Sequence, residues 1–86
     1  MTPRPKGPPR GTNILGSRIR EARERLDPKV TQNDLVARLG VQGILVDRPT
    51  VTRIESGKRY LRDYEIAAIA RALKVKVAWL FSEGQG

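Results

Sequence analysis

The sequence predicts an all-α fold built from five short helices, and three observations lead to this prediction. Apolar residues recur at helical spacing in successive segments, whereas no segment alternates apolar and polar residues over a convincing strand length. Proline, glycine and capping residues divide the chain into short pieces. The length of 86 residues leaves room for one small domain with one core.

The first 13 residues are predicted to form a basic, flexible tail, because prolines and glycines oppose a helix there. These residues are Pro3, Pro5, Gly7, Pro8, Pro9 and Gly11, and the charge comes from Arg4, Lys6 and Arg10. Residues 14 to 82 are predicted to form the folded domain, and residues 83 to 86 a C-terminal tail.

The first helix is predicted from about Asn13 to Leu26, with Asn13 or Thr12 as its cap. Its apolar stripe consists of Leu15, Ile19, Ala22 and Leu26. The sequence Asp27-Pro28-Lys29 should end this helix, because proline cannot continue it.

The second helix is predicted to start at Thr31, which forms a capping box with Asp34 in place of the usual glutamate. Its inner face consists of Leu35, Val36 and Leu39, and Gly40 is placed to end or turn it. A short, mostly apolar connector follows from Val41 to Val46.

The third helix is predicted to open at Asp47, a good N-cap, with Pro49 in the first turn where its missing N–H costs nothing. Val51 and Ile54 should face inward. The pair Ser56-Gly57 should stop the helix, because glycine suits the left-handed position after a helix.

The fourth helix is predicted from about Asp63, its expected cap, to Leu73. Its apolar positions are Ile66, Ala67, Ile69, Ala70 and Leu73. A fifth, short helix is predicted from about Val77 to Ser82, and it carries Trp79, Leu80 and Phe81.

The charge balance points to a polyanionic partner. Seventeen Lys and Arg residues stand against nine Asp and Glu residues, which gives a net charge of +8 and an isoelectric point near 10.9. Nucleic acid is the first candidate, an anionic membrane surface the second, and a merely solubilising excess of charge remains the alternative.

The chain contains no cysteine and no histidine, so a disulfide, a Cys-ligated zinc site and the commonest general base are all excluded. We expect no enzymatic activity, no metal and no cofactor. No apolar stretch approaches the length of a membrane span, and no secretory signal is visible at the N-terminus. The expected location is therefore cytoplasmic, in association with the nucleoid.

Outward-facing residues of the third helix favour contact with duplex DNA. They are Arg48, Pro49, Thr50, Thr52 and Arg53. Arginine bonds guanine bidentately, and threonine offers a hydroxyl and a methyl group to a base. Residues 48 to 62 contain five basic side chains against one acidic side chain, Glu55, and this excess suits the phosphate backbone. The proline-rich tail is predicted either to be a plain leader or to be an arm that touches DNA.

Several segments in order resemble the lambda-repressor-like, or XRE-type, helix-turn-helix family over about residues 14 to 82. The central one is Val51-Thr52-Arg53-Ile54-Glu55-Ser56-Gly57-Lys58-Arg59. The others are Leu15-Gly16-Ser17-Arg18-Ile19-Arg20, Thr31-Gln32-Asn33-Asp34-Leu35, and Ile69-Ala70-Arg71-Ala72-Leu73-Lys74-Val75 leading to Trp79-Leu80-Phe81. The resemblance implies a five-helix DNA-binding domain.

The resemblance also implies roles for single residues. Base contacts fall on Arg48, Pro49, Thr50 and Arg53, with Thr52 at the groove edge, and phosphate contacts fall on Gln32, Lys58 and Arg59. Gln32 should also brace the third helix. Arg23 and Glu55 match an ion pair that ties the first helix to the third. The Tyr60 hydroxyl is placed to reach a phosphate, although partial burial against the fourth helix is an equal alternative.

The sequence departs from the family pattern in two places. The connector before the third helix has six residues, Val41 to Val46, where the family has about one. We expect Ile44 and Val46 to pack inward and to lengthen the end of the second helix, rather than to form a contact loop. Pro49 occupies a position where the family often has a polar base reader, so Arg48 and Arg53 must carry more of the readout.

These observations together predict a sequence-specific transcriptional regulator, a repressor, that binds double-stranded DNA as a homodimer. The fifth helix, through Trp79 and Phe81, is the expected dimer surface, and no small-molecule effector is expected. The alternative on the same fold is a protein-interaction module such as an antitoxin or a coactivator. RNA is disfavoured because its deep, narrow major groove does not admit a helix.

Overall fold

The computed structural model describes residues 12–82, which form five α-helices joined by short loops. The helices are α1 (Gly16–Arg25), α2 (Gln32–Val41), α3 (Arg48–Glu55), α4 (Asp63–Leu73) and α5 (Val77–Phe81). Residues 12–82 contain no strand, so the predicted all-α, five-helix fold class is confirmed. The prediction of terminal tails falls almost entirely outside these residues. No helix among them is long and apolar enough to cross a membrane.

A single core lies between the helices. Its largest fully buried side chains are Ile19, Leu35, Leu39, Val51, Ile69, Leu73 and Leu80, all of them on predicted inner faces or in the predicted fifth helix. Helix α3 packs against α1 and α2, whereas α5 packs against α1 and α4. The outer face of α3 is therefore left free of the other helices.

The N-terminal end of α1 lies against the C-terminal end of α3. The helix begins at Gly16, later than the predicted start near Asn13, and its N-cap is Leu15 rather than Asn13 or Thr12. Asn13 Oδ1 accepts from the Leu15 N–H at 2.8 Å, and the residue also fastens this segment to α3. Its backbone N–H donates to the carbonyl of Gly57 at 3.0 Å. Its side-chain amide donates to the carbonyls of Ile54 and Arg59 at 3.1 and 2.8 Å. Carbonyls at a helix end lack partners within the helix, and the asparagine supplies one.

Gly16 permits this close approach. A Cβ atom at this position would lie 2.5 Å from the carbonyl oxygen of Glu55 and 2.6 Å from that of Ile54. No side chain fits at such distances, because both obstacles are backbone atoms of α3. The glycine therefore sets how close α1 lies to the end of α3.

Helix α2 begins as predicted but ends differently. The capping box is present, since Thr31 Oγ1 accepts from the Asp34 N–H at 3.0 Å and Asp34 Oδ2 accepts from the Thr31 N–H at 2.9 Å. Gly40 does not end the helix, which continues to Val41. The left-handed residue is Gly43, with a φ of 86°.

The lengthened turn before α3 is well anchored. The N–H groups of Gly43 and Ile44 donate to the carbonyls of Gly40 and Leu39 at 3.0 and 2.8 Å, the bonding pattern of a Schellman ending. Ile44 and Val46 are half-buried against the core, as predicted. Leu45, which lies between them, is exposed. The extra residues therefore finish α2 and lead into α3 as an ordered turn.

Helix α4 starts at Asp63, but Asp63 is not the N-cap that the sequence predicted. Arg62 occupies the cap position, and its backbone N–H donates to Glu65 Oε1 at 2.9 Å. The Asp63 carboxylate instead accepts from the N–H of the next residue, Tyr64, at 2.6 Å. The buried Glu65 is thus the acid that orders this helix start.

Candidate nucleic-acid interface

Helix α3 is fixed on one side and open on the other. Val51 and Ile54 are buried against the core. Arg48, Pro49 and Arg53 are exposed, and they are three of the five predicted base-contacting residues. The remaining two are Thr52, which is exposed, and Thr50, which is partly exposed. The predicted base-contacting residues therefore share a helix whose opposite side is held by the core.

The N-terminus of α3 is capped by Asp47, as predicted. Asp47 Oδ1 accepts from the Thr50 N–H at 2.9 Å and from the Thr50 hydroxyl at 2.6 Å. These hydrogen bonds, the side-chain one first, lower the pKa of the Asp47 carboxyl below its ordinary value. Pro49 lies in the first turn, as predicted.

Both threonine hydroxyls of α3 already have partners. The Thr50 hydroxyl donates to Asp47, and the Thr52 hydroxyl lies 3.2 Å from both Gln32 Oε1 and the Arg48 carbonyl. A hydroxyl has one hydrogen to donate, so in this arrangement each threonine is left with an acceptor lone pair and a methyl group for any external partner.

The arginines of α3 are left as the available donors. Within residues 12–82, the Arg48 side chain makes no hydrogen bond or ion pair. Arg53 makes one long contact, from Nη2 to Thr50 Oγ1 at 3.4 Å. Most of their guanidinium N–H groups are therefore available to an external acceptor.

An ion pair ties α1 to the C-terminal end of α3. Arg23 Nε donates to Glu55 Oε2 at 2.7 Å and Arg23 Nη2 to Glu55 Oε1 at 3.0 Å, so the predicted partners form a bidentate pair. Arg23 Nη1 also donates to the carbonyl of Val30 at 2.9 Å. The hydrogen bonds that Arg23 donates to Glu55 raise the pKa of Arg23. The pair is buried, with side-chain exposures of 9% and 5%.

Gln32 extends this ion pair to the start of α2. Its Nε2 donates to Glu55 Oε1 at 3.1 Å, and its Oε1 accepts from the Thr52 hydroxyl. The glutamine thus contacts α3 at two points. Its second amide N–H has no partner within residues 12–82, and that N–H is the one suited to the predicted phosphate contact.

The two basic residues after α3 differ in their surroundings. Lys58 is exposed, and its side chain has no hydrogen bond or ion pair within residues 12–82. Arg59 is mostly covered and donates to both carboxylate oxygens of Glu65 at 3.1 and 3.3 Å. It also donates to the carbonyl of Tyr60 at 2.8 Å. Lys58 is therefore the freer of the two predicted phosphate contacts.

Glu65 has a structural role that the sequence pattern did not predict. Burial alone would raise the pKa of its carboxyl, but the hydrogen bonds from Arg59 and from the Arg62 backbone leave that pKa below its ordinary value. The available signal was the glutamate itself, which lies at the third residue of the helix, where the acid of a capping box lies.

Two exposed tyrosines lie beside these residues. Tyr60, a predicted phosphate contact, is 58% exposed, so more than half of its surface is open to solvent. Tyr64 is similarly exposed, and its hydroxyl accepts from Arg62 Nη1 at 3.3 Å. The segment from Lys58 to Tyr64 therefore presents polar aromatic and basic side chains next to the end of α3.

The described part of the chain offers no metal site, because residues 12–82 contain no group of three or more possible acidic, histidine or cysteine ligands. A family profile described as a helix-turn-helix domain matches residues 14–79. Searches among curated proteins and among solved structures give no significant match. The profile spans more than half of the chain and includes the helices α1 to α4. The chain therefore belongs to the helix-turn-helix domain family, with a lambda-repressor-like, all-α fold of the kind that binds DNA.

Proposed function

We propose that the protein is a sequence-specific transcriptional regulator, acting as a repressor, that inserts α3 into the major groove of duplex DNA. The observation that carries the proposal is the contrast between the two sides of α3. The inner side is fixed by the core and by the Arg23–Glu55 pair. The outer side presents Arg48 and Arg53 with guanidinium groups largely free. Free arginine side chains on an exposed helix that the core holds in place suit bidentate contact with guanine.

The proposed base-contacting residues are Arg48, Pro49, Thr50, Thr52 and Arg53, with the two arginines as the donors. Pro49 offers its ring to a thymine methyl, and Thr50 and Thr52 contribute methyl groups or acceptor oxygens. The proposed phosphate contacts are Gln32, Lys58, Arg59 and Tyr60. Arg59 would use N–H groups that are not directed at Glu65 or at the Tyr60 carbonyl.

We also propose that the protein binds as a homodimer, because one helix covers only a few base pairs and two half-sites add specificity. Phe81 supports a dimer surface at α5, since half of its side chain is exposed. It lines a surface cleft together with the exposed Ile14 at the start of α1. Trp79 is a weaker candidate, because the Arg18 guanidinium stacks on its ring at 3.6 Å from the centroid.

The test is selection of binding sites from random duplex DNA, followed by affinity measurements on the selected and scrambled sites across salt concentrations. We expect the selected site to bind at least about a thousandfold more tightly than the scrambled one at physiological salt. Equal affinities would show that charge alone drives binding, and the proposed readout by α3 would then be wrong.

A further inference from the structure

A cleft outside the α2–α3 unit combines an apolar floor with a basic rim. It has a volume of about 390 Å³ and is open to solvent on one side. Its apolar lining consists of Ala22, Leu26, Leu73, Val75 and Trp79, and its charged lining of Arg25, Lys74 and Lys76. None of these residues is acidic, and none belongs to α2 or α3. The cleft therefore uses no residue of the proposed DNA surface.

Lys74 stands where the local backbone favours glycine. It follows α4 with φ and ψ of 60° and 38°, which is the left-handed region, and it is the one non-glycine residue of the described chain with positive φ. The N–H groups of Lys74 and Val75 donate to the carbonyls of Arg71 and Ala70 at 3.2 and 3.0 Å. Glycine is the usual residue at this point of a Schellman ending. A lysine is therefore less favourable than a glycine for the backbone conformation at this position.

Lys76, on the same rim, is a second residue at a position that favours other residue types. It occupies the N-cap position of α5, with an extended backbone and no side-chain capping hydrogen bond. Serine, threonine, aspartate and asparagine are preferred there, because their side chains bond the free N–H groups of the first turn. Residues that conflict with their local structure concentrate at functional sites. Two lysines in such positions beside one cleft therefore point to a role for their charge.

Trp79 forms a fixed wall of the cleft. Its ring lies 3.6 Å from the Arg18 guanidinium carbon and 5.3 Å from that of Arg25, measured to the ring centroid. Arg18 is itself anchored, since its Nη2 donates to the Trp79 carbonyl at 3.0 Å and to Ser82 Oγ at 2.6 Å. The indole is therefore held in place by cations, and part of it remains available to a ligand.

We propose that this cleft binds an acidic segment of a partner protein, in which one large apolar side chain is flanked by Asp or Glu residues. The apolar side chain would cover Leu73, Val75 and Trp79. The flanking carboxylates would pair with Lys74 and Lys76 in the loop between α4 and α5, and with Arg25 on α1, whose nearest acidic neighbour is the exposed Glu21 at 3.8 Å. Three cations are too numerous for one carboxylate to neutralise. Charge complementarity of this kind selects the partner and speeds encounter.

Other occupants match the cleft less well. Phosphates of duplex DNA would meet the lysines but would leave the apolar floor exposed to water. A second copy of this chain is proposed to pair at the cleft of Ile14 and Phe81, which shares no lining residue with this one. A small ligand is normally enclosed over most of its surface, which an open cleft does not provide. An acidic, partly apolar peptide would cover the apolar floor with its large side chain and would pair with the basic rim through its carboxylates.

The test uses a library of random peptides displayed on phage and selected against the full chain without DNA. We expect enriched peptides to carry one large apolar residue between acidic residues. Synthesised copies should alter the fluorescence of Trp79, the single tryptophan of the chain. Lys74→Gly and Lys76→Ser should each weaken peptide binding by about two- to fivefold. Both variants should keep or raise Tm, because each introduces the residue that the local backbone favours.

Lys29→Ser is the matched control, because Lys29 is an exposed lysine in the loop between α1 and α2, outside the cleft. It removes the same charge and should leave the peptide Kd unchanged. Should either test variant lower Tm, Arg25→Gln on α1 tests the same rim. The proposal is wrong if no acidic peptides are enriched, or if Lys29→Ser weakens binding as much as the cleft variants. It is also wrong if the cleft variants reduce affinity for duplex DNA as much as Lys58→Ala does.

Discussion

Arg53 and Lys58 carry the same charge five residues apart, yet their surroundings predict different roles on DNA. Arg53 lies on the exposed side of α3, and its guanidinium touches Thr50 at 3.4 Å. Lys58 lies beyond the end of the helix, where an ammonium group acts as a point charge toward phosphate. We expect Arg53→Ala to lower the binding free energy for the selected site by about 1–3 kcal/mol and to relax the base preference at one position of that site.

Lys58→Ala is the matched comparison, and it should weaken binding to all sequences alike and flatten the dependence of affinity on salt. Titration of both variants against selected and scrambled duplexes at several salt concentrations separates the two effects. If Arg53→Ala behaved like Lys58→Ala, the assignment of base and phosphate contacts would be wrong.

Gly16 gives a prediction about stability, because a methyl group there would collide with the backbone of α3 at 2.5 Å. Gly16→Ala should lower the free energy of unfolding by about 3 kcal/mol, at the upper end of the range for an overpacked site. Gly40→Ala provides the control, since a Cβ at that helical position meets nothing within 4 Å. It should raise stability by about 0.5–1 kcal/mol. Urea denaturation followed by circular dichroism measures both variants, and equal effects would contradict this account of Gly16.

At the scale of the elements, the placement of α3 rests on the buried pair between Arg23 and Glu55. Glu55→Gln removes the hydrogen-bonded counter-charge of the buried Arg23 and leaves only the more distant Glu24 carboxylate at 3.9 Å, so we expect a loss of about 3 kcal/mol of unfolding free energy. Arg20→Gln breaks an exposed pair with Glu24 on α1 and should change stability little. Thermal and urea unfolding of the two variants gives the comparison. Similar losses of unfolding free energy in both variants would mean that burial of the Arg23–Glu55 pair does not stabilise the fold.

The junction of α3 and α4 should respond to acid through Glu65, whose pKa is held below its ordinary value in the folded protein. A carboxyl with a lowered folded-state pKa stabilises the fold above its unfolded pKa of about 4.3, and this stabilisation is lost as the pH falls through the folded value. Glu65→Gln should therefore be less stable at neutral pH and should lose less stability between neutral and acidic pH. Glu21→Gln on the exposed surface of α1 is the control, and an unchanged pH profile for Glu65→Gln would contradict this assignment.

The elements show which features the sequence could predict. The apolar stripes and the Thr31–Asp34 capping box depend on residues within one or two helical turns, so their spacing along the chain reveals them. Asn13 and Gly16 depend on α3, which lies about 40 residues away in the chain, and no local pattern distinguishes an asparagine that caps from one that bonds a distant carbonyl. The end of α2 was misplaced because Gly40 and Gly43 are both compatible with a helix end, and only the backbone conformation separates them.

The candidate site also combines features that the local sequence predicts with features that depend on contacts in the folded protein. Exposure of Arg48 and Arg53 follows from the helical period, because Val51 and Ile54 must face the core. The engagement of Thr50, Thr52 and Arg59 with neighbouring groups does not follow from it, since those bonds are made by side-chain rotamers in the folded protein. The sequence therefore predicted which side chains of α3 are exposed better than it predicted which of their polar groups are free.

For the whole molecule, the proposed homodimer predicts the form of the DNA site. Two copies related by a two-fold axis place two α3 helices in successive major grooves, so selected sites should be inverted repeats with centres about 34 Å apart. Phe81→Ser should reduce dimer formation, measured by analytical ultracentrifugation, and should weaken binding to the full repeat more than to one half-site. Val41→Ser removes an exposed apolar side chain at the end of α2 and should leave dimerisation unchanged. A selected site without repeat symmetry, bound by one copy of the wild-type chain, would show that a single α3 suffices for recognition.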